Sequence, residues 1–262
     1  MDSITKKCIV VTGMHRSGTS ALMGVLNILG IDLGFSYLNP KEDNPKGFFE
    51  NISISNINEK ILKSLNSSWD DVFFLPENWW NSEHLFPYKE EIIQIIKHEF
   101  NEKTIFGIKD PRISRLLPLW NDIFKELSIE PYYIISLRNP LEIAMSLKMR
   151  NGFSNEKSMI LWMVYMLDAE IYSRNFKRIF ITFDELLRNV KDVILKISNV
   201  FNVAFPKTYH DVKRDLERFL DPNLKHYTFS QEKSFILLEP IQELYFLLLS
   251  LTKKDAIEDK EI

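Results

Sequence analysis

Thr12-Gly13-Met14-His15-Arg16-Ser17-Gly18-Thr19-Ser20 is the stretch whose reading decides the fold. The apolar run before it, Cys8-Ile9-Val10-Val11, is short and β-branched and predicts a strand. After it, apolar residues from Ala21 to Leu29 recur at helical spacing. Strand, glycine-containing loop and helix therefore follow one another. That order points unpaired backbone N–H groups and the positive end of a helix dipole at one place, which makes an anion site, usually for phosphate. A nucleotide-like ligand is the first expectation.

Working outward, Leu22, Val25, Leu26 and Leu29 form the buried stripe of that helix, and Gly30 is placed to end it in the left-handed conformation. Two later stretches repeat the layout. Thr104 to Ile108 predicts a strand ending at Lys109, with Asp110 as N-cap and Pro111 as first helical residue of a helix burying Ile113, Leu116, Leu117, Trp120 and Phe124. Tyr132 to Leu137 predicts a strand ending at Arg138, with Asn139 as N-cap and Pro140 at the first position. Arg178 to Phe183 reads as a fourth strand, followed by a helix capped by Asp184 that carries Leu187, Val190, Ile194 and Ile197. Strands alternating with helices imply right-handed crossovers. The predicted fold is a P-loop NTPase-like three-layer α/β/α domain with a central parallel sheet of four to five strands, its ligands at the carboxyl ends of the strands.

Between these units, a turn-rich passage from Asn39 to Gly47 leads to Glu50, at the junction with an amphipathic helix marked by Ile54, Ile57, Ile61 and Leu65. Residues 68 to 88 are aromatic, irregular and rich in tryptophan and phenylalanine. They make either a stacking surface for a sugar or another ring, or plugs of the core, and core packing is the expectation. Ile92 to Phe100 reads as a helix. Ser154 opens a long one with Ile160, Val164, Leu167 and Ile171 inward, and Tyr209 to Phe219 and Pro240 to Leu251 close the series.

The 262 residues show no linker and no internal repeat, so one domain over 1–252 is expected, with 253–262 a charged, frayed tail. Net charge −3 disfavours a general nucleic-acid or acidic-membrane binder, so binding cations must be focused in a pocket. Cys8 is the only cysteine and reads as core filler, which removes intrachain disulfides and cysteine metal clusters. No apolar leader precedes the first strand, and Leu244 to Leu251 is too short to span a bilayer, giving a cytoplasmic, soluble expectation with no transmembrane segment. His84, His98, His210 and His226 follow no metal-ligand spacing. His226, beside Lys225 in a late loop, is the one candidate among them for closing over a nucleotide.

On this topology Arg16, Lys109 and Arg138 all project from the carboxyl edge of one sheet. Three cations converging on a helix N-terminus make a strong anion site. The loop resembles G-x-x-x-x-G-K-[ST] with Thr19 where lysine belongs, which argues against NTP hydrolysis or kinase chemistry. An arginine inside the loop, Arg16, suits a sulfate or phosphate group in transfer.

Gly13 to Ser20 resembles the 5′-phosphosulfate loop of sulfotransferases that use 3′-phosphoadenylyl sulfate (PAPS), and Ser136-Leu137-Arg138-Asn139-Pro140 with Ser146 resembles their 3′-phosphate segment. Asp43 to Asn51 and Lys109-Asp110-Pro111-Arg112 are similar to a bacterial branch of that superfamily, with a weaker echo at Phe183 to Leu186. The resemblance implies in-line, metal-independent transfer of a sulfuryl group from PAPS to an acceptor, leaving adenosine 3′,5′-bisphosphate. It assigns the donor to His15, Arg16, Ser17, Gly18, Thr19, Ser20, Arg138 and Ser146, and catalysis to Arg16, Lys109 and Glu50, with Glu50 as base. His15 is the rival base and Asp110 a cap; Arg112 either contacts ligand or pairs with an acid. The expected acceptor is a hydroxyl on a small molecule or glycan. A metal-dependent kinase and a non-catalytic nucleotide-binding module are the alternatives.

Overall fold

The computed structural model describes residues 5–38, 44, 46–221 and 238–253. Four strands form one parallel sheet: β1 (Lys6–Thr12), β2 (Ile105–Lys109), β3 (Ile129–Leu137) and β4 (Arg178–Thr182), in the order β2-β1-β3-β4. Side chains alternate across it as the two-residue period requires. Cys8, Val10, Tyr133 and Ile135 face a core shared with helices α2 (Ile52–Ser64), α3 (Phe86–Phe100), α4 (Ile113–Glu126), α5 (Pro140–Asn151), α6 (Asn155–Tyr172) and α10 (Glu239–Leu251). Ile9, Val11, Tyr132 and Ile134 face a second core with α1 (Thr19–Ile28), α8 (Val190–Phe201) and α9 (Tyr209–Phe219). Apolar runs rather than alternating strands are the price of a sheet covered on both faces. Cys8 is fully buried, and burial pushes its thiol well up, as a core filler requires.

Local signals explain most boundaries. Gly30, at φ 94°, follows α1 in the left-handed conformation and its N–H reaches Asn27 O. Asn139 accepts from the Leu141 N–H with Pro140 opening α5, and Ser154 accepts from the Lys157 N–H at the start of α6.

Four expectations need correction. Of the stripe assigned to α6 only Val164 is buried: Ile171 is exposed and Ile160 and Leu167 are half-buried, whereas Trp162, Tyr165, Met166 and Ala169 are buried. With α4, α5 and α10 all packed on it, α6 is enclosed on most sides and shows no single apolar face. The helix expected after β4 is two: α7 (Phe183–Arg188), capped by Thr182 rather than Asp184, and α8, separated by Asn189 in a non-helical conformation. α3 begins at Phe86, because Pro87 sits in the first turn, where its missing N–H costs nothing. Residues 110–112 form a turn before α4, which starts at Ile113 rather than Pro111. The passage 39–43, Pro45, Lys225, His226 and the tail from 254 lie outside the described residues. No helix among the described residues is long and apolar enough to cross a membrane.

A buried ion pair fixes the entry to β4. Arg178 donates to the Glu170 carboxylate at 3.2 Å and to Ser173 Oγ at 3.2 Å, and its side chain is 0% exposed. Glu170→Ala strips the carboxylate from a buried guanidinium, so chemical denaturation should show a loss of about 3–5 kcal/mol.

Candidate active site

The chain leaves β1 at Thr12 and turns through left-handed positions at Arg16 (φ 69°) and Gly18 (φ 99°) before α1. A Cβ on Gly13 would lie 2.6 Å from the Ser136 carbonyl oxygen, so the loop rests directly on β3 and only glycine fits. Two hydroxyls from neighbouring elements pin it. Ser114 Oγ, in the first turn of α4, accepts from the Gly13 N–H at 3.0 Å and lies 2.5 Å from Thr12 Oγ1. Ser136 Oγ donates to Ser17 O at 2.9 Å. Ser17 Oγ is buried with no hydrogen-bond partner. The first-turn N–H groups of α1 have no intrahelical acceptor, so the loop presents donors to an anion.

The expected cations arrive at this loop from the sheet edge. Lys109, at the end of β2, has its Nζ 2.5 Å from Glu50 Oε1, 3.1 Å from Ser20 Oγ and 3.1 Å from Phe48 O. Arg138, after β3, donates to Arg16 O at 3.0 Å and to Glu142 at 2.8 Å, with its guanidinium 5.0 Å from the Phe183 ring centre. Arg16 Nε donates to Ser146 Oγ at 2.8 Å. Ser146 projects from α5, so Arg16 joins the loop to the segment carrying Arg138. Arg16, Ser20, Phe48, Glu50, Lys109, Arg138, Ser146 and Phe183 line one cavity of about 1160 Å³, which also takes in His15, Gly18 and Thr19; Ser17 and Glu142 do not line it.

Glu50 enters the cavity from the residue before the α2 N-cap, Asn51. Phe49 precedes it at φ 56°, and its ring packs edge-on against Phe219, with centroids 5.6 Å apart. Gly24 of α1 makes room for both rings: a Cβ there would meet Phe219 at 2.1 Å and Phe49 at 3.0 Å. Glu50 Oε2 also lies 3.6 Å from Arg112 Nη2. Asp110 is less a helix cap than a buried counterion. It accepts from the Arg112 N–H and Nε at 2.9 Å and from Asn58 Nδ2 at 3.1 Å. Of the two readings of Arg112, the acid pairing holds, and the guanidinium also lines the cavity. Burial works against its charge, and Asp110 and Glu50 outweigh burial, leaving its pKa above the ordinary arginine value.

His15 lies on the other side of the loop, its ring 4.7 Å from Trp69 and 5.8 Å from Tyr165 between centroids. Burial, followed by the charges of Arg150, Arg112, Lys109 and Arg16, holds its pKa well below the usual histidine value, so the imidazole is neutral. Its Nε2 is buried without a partner. Trp69, the first ring of the aromatic segment, and Arg150 are also on the cavity wall; of the two, Arg150 was not singled out from sequence. The spacing of Arg150 four residues after Ser146 was the available signal, since it puts both on one helix face. Of the aromatic segment 68–88 only Trp79 is a buried ring; Trp69, Trp80 and Tyr88 pack half-buried against the core, and Phe73, Phe74 and Phe86 are exposed, so the core-packing expectation holds in part. The segment's first turn is held rigidly: Tyr165 donates to Trp69 O at 2.7 Å, and Arg115 donates to the carbonyls of Asp71 (3.1 Å) and Phe73 (2.6 Å) while pairing with Asp168 at 2.7 Å.

Fold and site together define an α/β protein with a four-stranded parallel sheet and a cation-lined cavity at its carboxyl edge. No protein-family model and no curated protein matches the sequence. Among solved structures, the sulfotransferase domain from the Synechococcus PCC 7002 olefin synthase is similar over 97% of this chain and 97% of its own, at 15% identity and TM-score 0.50. The sulfotransferase domain from the curacin biosynthetic pathway (14% identity, 95% and 92% covered, TM-score 0.47) and sulfotransferase STF1 from Mycobacterium tuberculosis H37Rv (12%, 92% and 76%, 0.45) are similar more distantly. The likeness to the olefin synthase domain is one of fold.

The Arg115–Asp168 pair has a pH signature. Burial pushes the Asp168 carboxyl up to about 6, against the pull of Arg115. A carboxyl whose pKa is raised by folding stabilises most when protonated, and that contribution is lost as pH rises from about 4 through about 6. Relative to Asp168→Asn, the wild-type protein should lose roughly 2 kcal/mol across that window, read by urea denaturation at each pH.

Proposed function

We propose that the chain is a sulfotransferase that moves the sulfuryl group of PAPS to an acceptor hydroxyl, on a carbohydrate or another small molecule, within one domain over residues 1–252. The observation that carries this reading is the meeting, on one cavity, of two anion-holding clusters and a carboxylate. The clusters are the 12–20 loop with Lys109, and Arg138 with Ser146; the carboxylate is Glu50. The donor set fits a doubly phosphorylated nucleotide: N–H groups at a glycine-containing loop and helix start, and guanidinium forks suited to phosphate.

PAPS supplies a sulfuryl group bonded to a phosphate leaving group. In this reading, the N–H groups of Ser17, Gly18, Thr19 and Ser20, with His15 and Arg16, hold the phosphosulfate end. Arg138 and Ser146 hold the 3′-phosphate. Arg16 bonds to Ser146 and so links both ends of the donor site. Lys109, oriented by Ser20 and Glu50, neutralises charge growing on the leaving oxygen. Glu50 takes the acceptor hydroxyl's proton while the acceptor oxygen bonds to sulfur and the sulfur–oxygen bond to the leaving phosphate breaks. The resemblance implies no metal in this step. A cytoplasmic setting belongs to the same proposal, and the lone buried thiol of Cys8 is compatible with it.

Calorimetric titration should show adenosine 3′,5′-bisphosphate binding far more tightly than ATP, with Arg138→Ala weakening it by about ten-fold or more. Equal affinity for ATP contradicts the reading. Glu50→Gln should keep the bisphosphate affinity and lower transfer from PAPS at least about 100-fold; unchanged turnover would move the base to His15.

A further inference from the structure

The cavity wall beyond the proposed donor contacts has a chemistry of its own. Arg150 lies in the last turn of α5, one helical turn beyond Ser146 on the same face, so the helix that reaches Arg16 through Ser146 carries a second cation further along the wall. The Arg150 guanidinium lies 5.3 Å from the Trp69 ring centre, and its Nε donates to Asn151 Oδ1 at 2.6 Å. Trp69 in turn packs on Phe153 at 5.7 Å, nearly parallel, and against His15. Tyr165 and Arg115 hold the backbone that carries it, bonding the carbonyls of Trp69, Asp71 and Phe73. A fixed indole edge and a guanidinium thus stand together beside His15, on the wall that also carries Arg112. Among the cations acting on His15, Arg150 has the largest effect, which puts the positive field of this wall at the loop.

We infer that Trp69 and Arg150 form the acceptor subsite, and that it selects a sugar ring bearing a carboxylate. The indole edge offers an apolar contact to a pyranose, and the guanidinium pairs with the acid in the fork geometry that arginine suits. The inference rests on the sulfotransferase reading and narrows its acceptor from any hydroxyl to an acidic glycoside. A cation in the last turn of a helix also stabilises the helix dipole, so the test must read selectivity rather than stability.

Protein saturated with adenosine 3′,5′-bisphosphate is titrated with methyl β-D-glucuronide and, separately, with neutral methyl β-D-glucoside, with binding followed by saturation-transfer NMR. The glucuronide should bind about ten-fold or more tightly than the glucoside. Arg150→Met should abolish the preference and Arg150→Lys retain part of it, while the bisphosphate affinity stays as in the wild type. Equal binding, binding of neither sugar, a preference that survives Arg150→Met, or a bisphosphate affinity lost with Arg150→Met each overturns the inference. Failure of the wild-type protein to bind the bisphosphate is a different result: it removes the donor assignment itself and the acceptor subsite with it.

Discussion

One buried ammonium, Lys109 Nζ, ties three separate parts of the chain: the end of β2, the first turn of α1 through Ser20, and the residues before α2 through Phe48 and Glu50. A cation with its side chain 2% exposed is costly unless every proton has an acceptor, and here three oxygens surround it. The loop lacks a lysine at position 19, and the structure brings one to the same helix end from a strand almost ninety residues later. The consequence is geometric. Glu50 is held against the 12–20 loop by the same ammonium that bonds Ser20, so carboxylate and loop are one unit.

Beneath that unit lies a scaffold whose order is set by close approach. The loop can sit on β3 because position 13 has no side chain, and the Phe49–Phe219 pair can sit on α1 because position 24 has none. Ser114 and Ser136 then fix the loop backbone from two directions. On the far wall, the buried Arg115–Asp168 pair and Tyr165 do the same for the Trp69 segment. Cavity walls held by buried polar networks are preorganised, which is what a site acting on a small charged ligand requires.

The parts visible in the sequence are those governed by local chemistry. A strand-to-helix change of period marked β1, the loop and α1, and Asn139-Pro140 and Ser154 marked helix starts because caps act over three residues. Arg16, Lys109 and Arg138 were legible as a group because a parallel sheet puts the ends of its strands on one edge. Contacts between distant residues were not. Nothing at Asp110 alone distinguishes a cap from a counterion of Arg112, and α6, enclosed by three helices, has no stripe to read. The aromatic segment marked Trp69 without separating it from Trp79: one lines the cavity and the other is buried in the core, and only distant contacts with His15, Phe153 and Arg150 decide which.

The central claim is that the 12–20 loop and the Arg138–Ser146 segment grip the two phosphate ends of one nucleotide. A crystal structure with adenosine 3′,5′-bisphosphate tests it most directly. The account predicts the 5′-phosphate on the N–H groups of Ser17 to Ser20 beside Lys109, and the 3′-phosphate against Arg138 and Ser146. A nucleotide bound with neither phosphate in those places would contradict it.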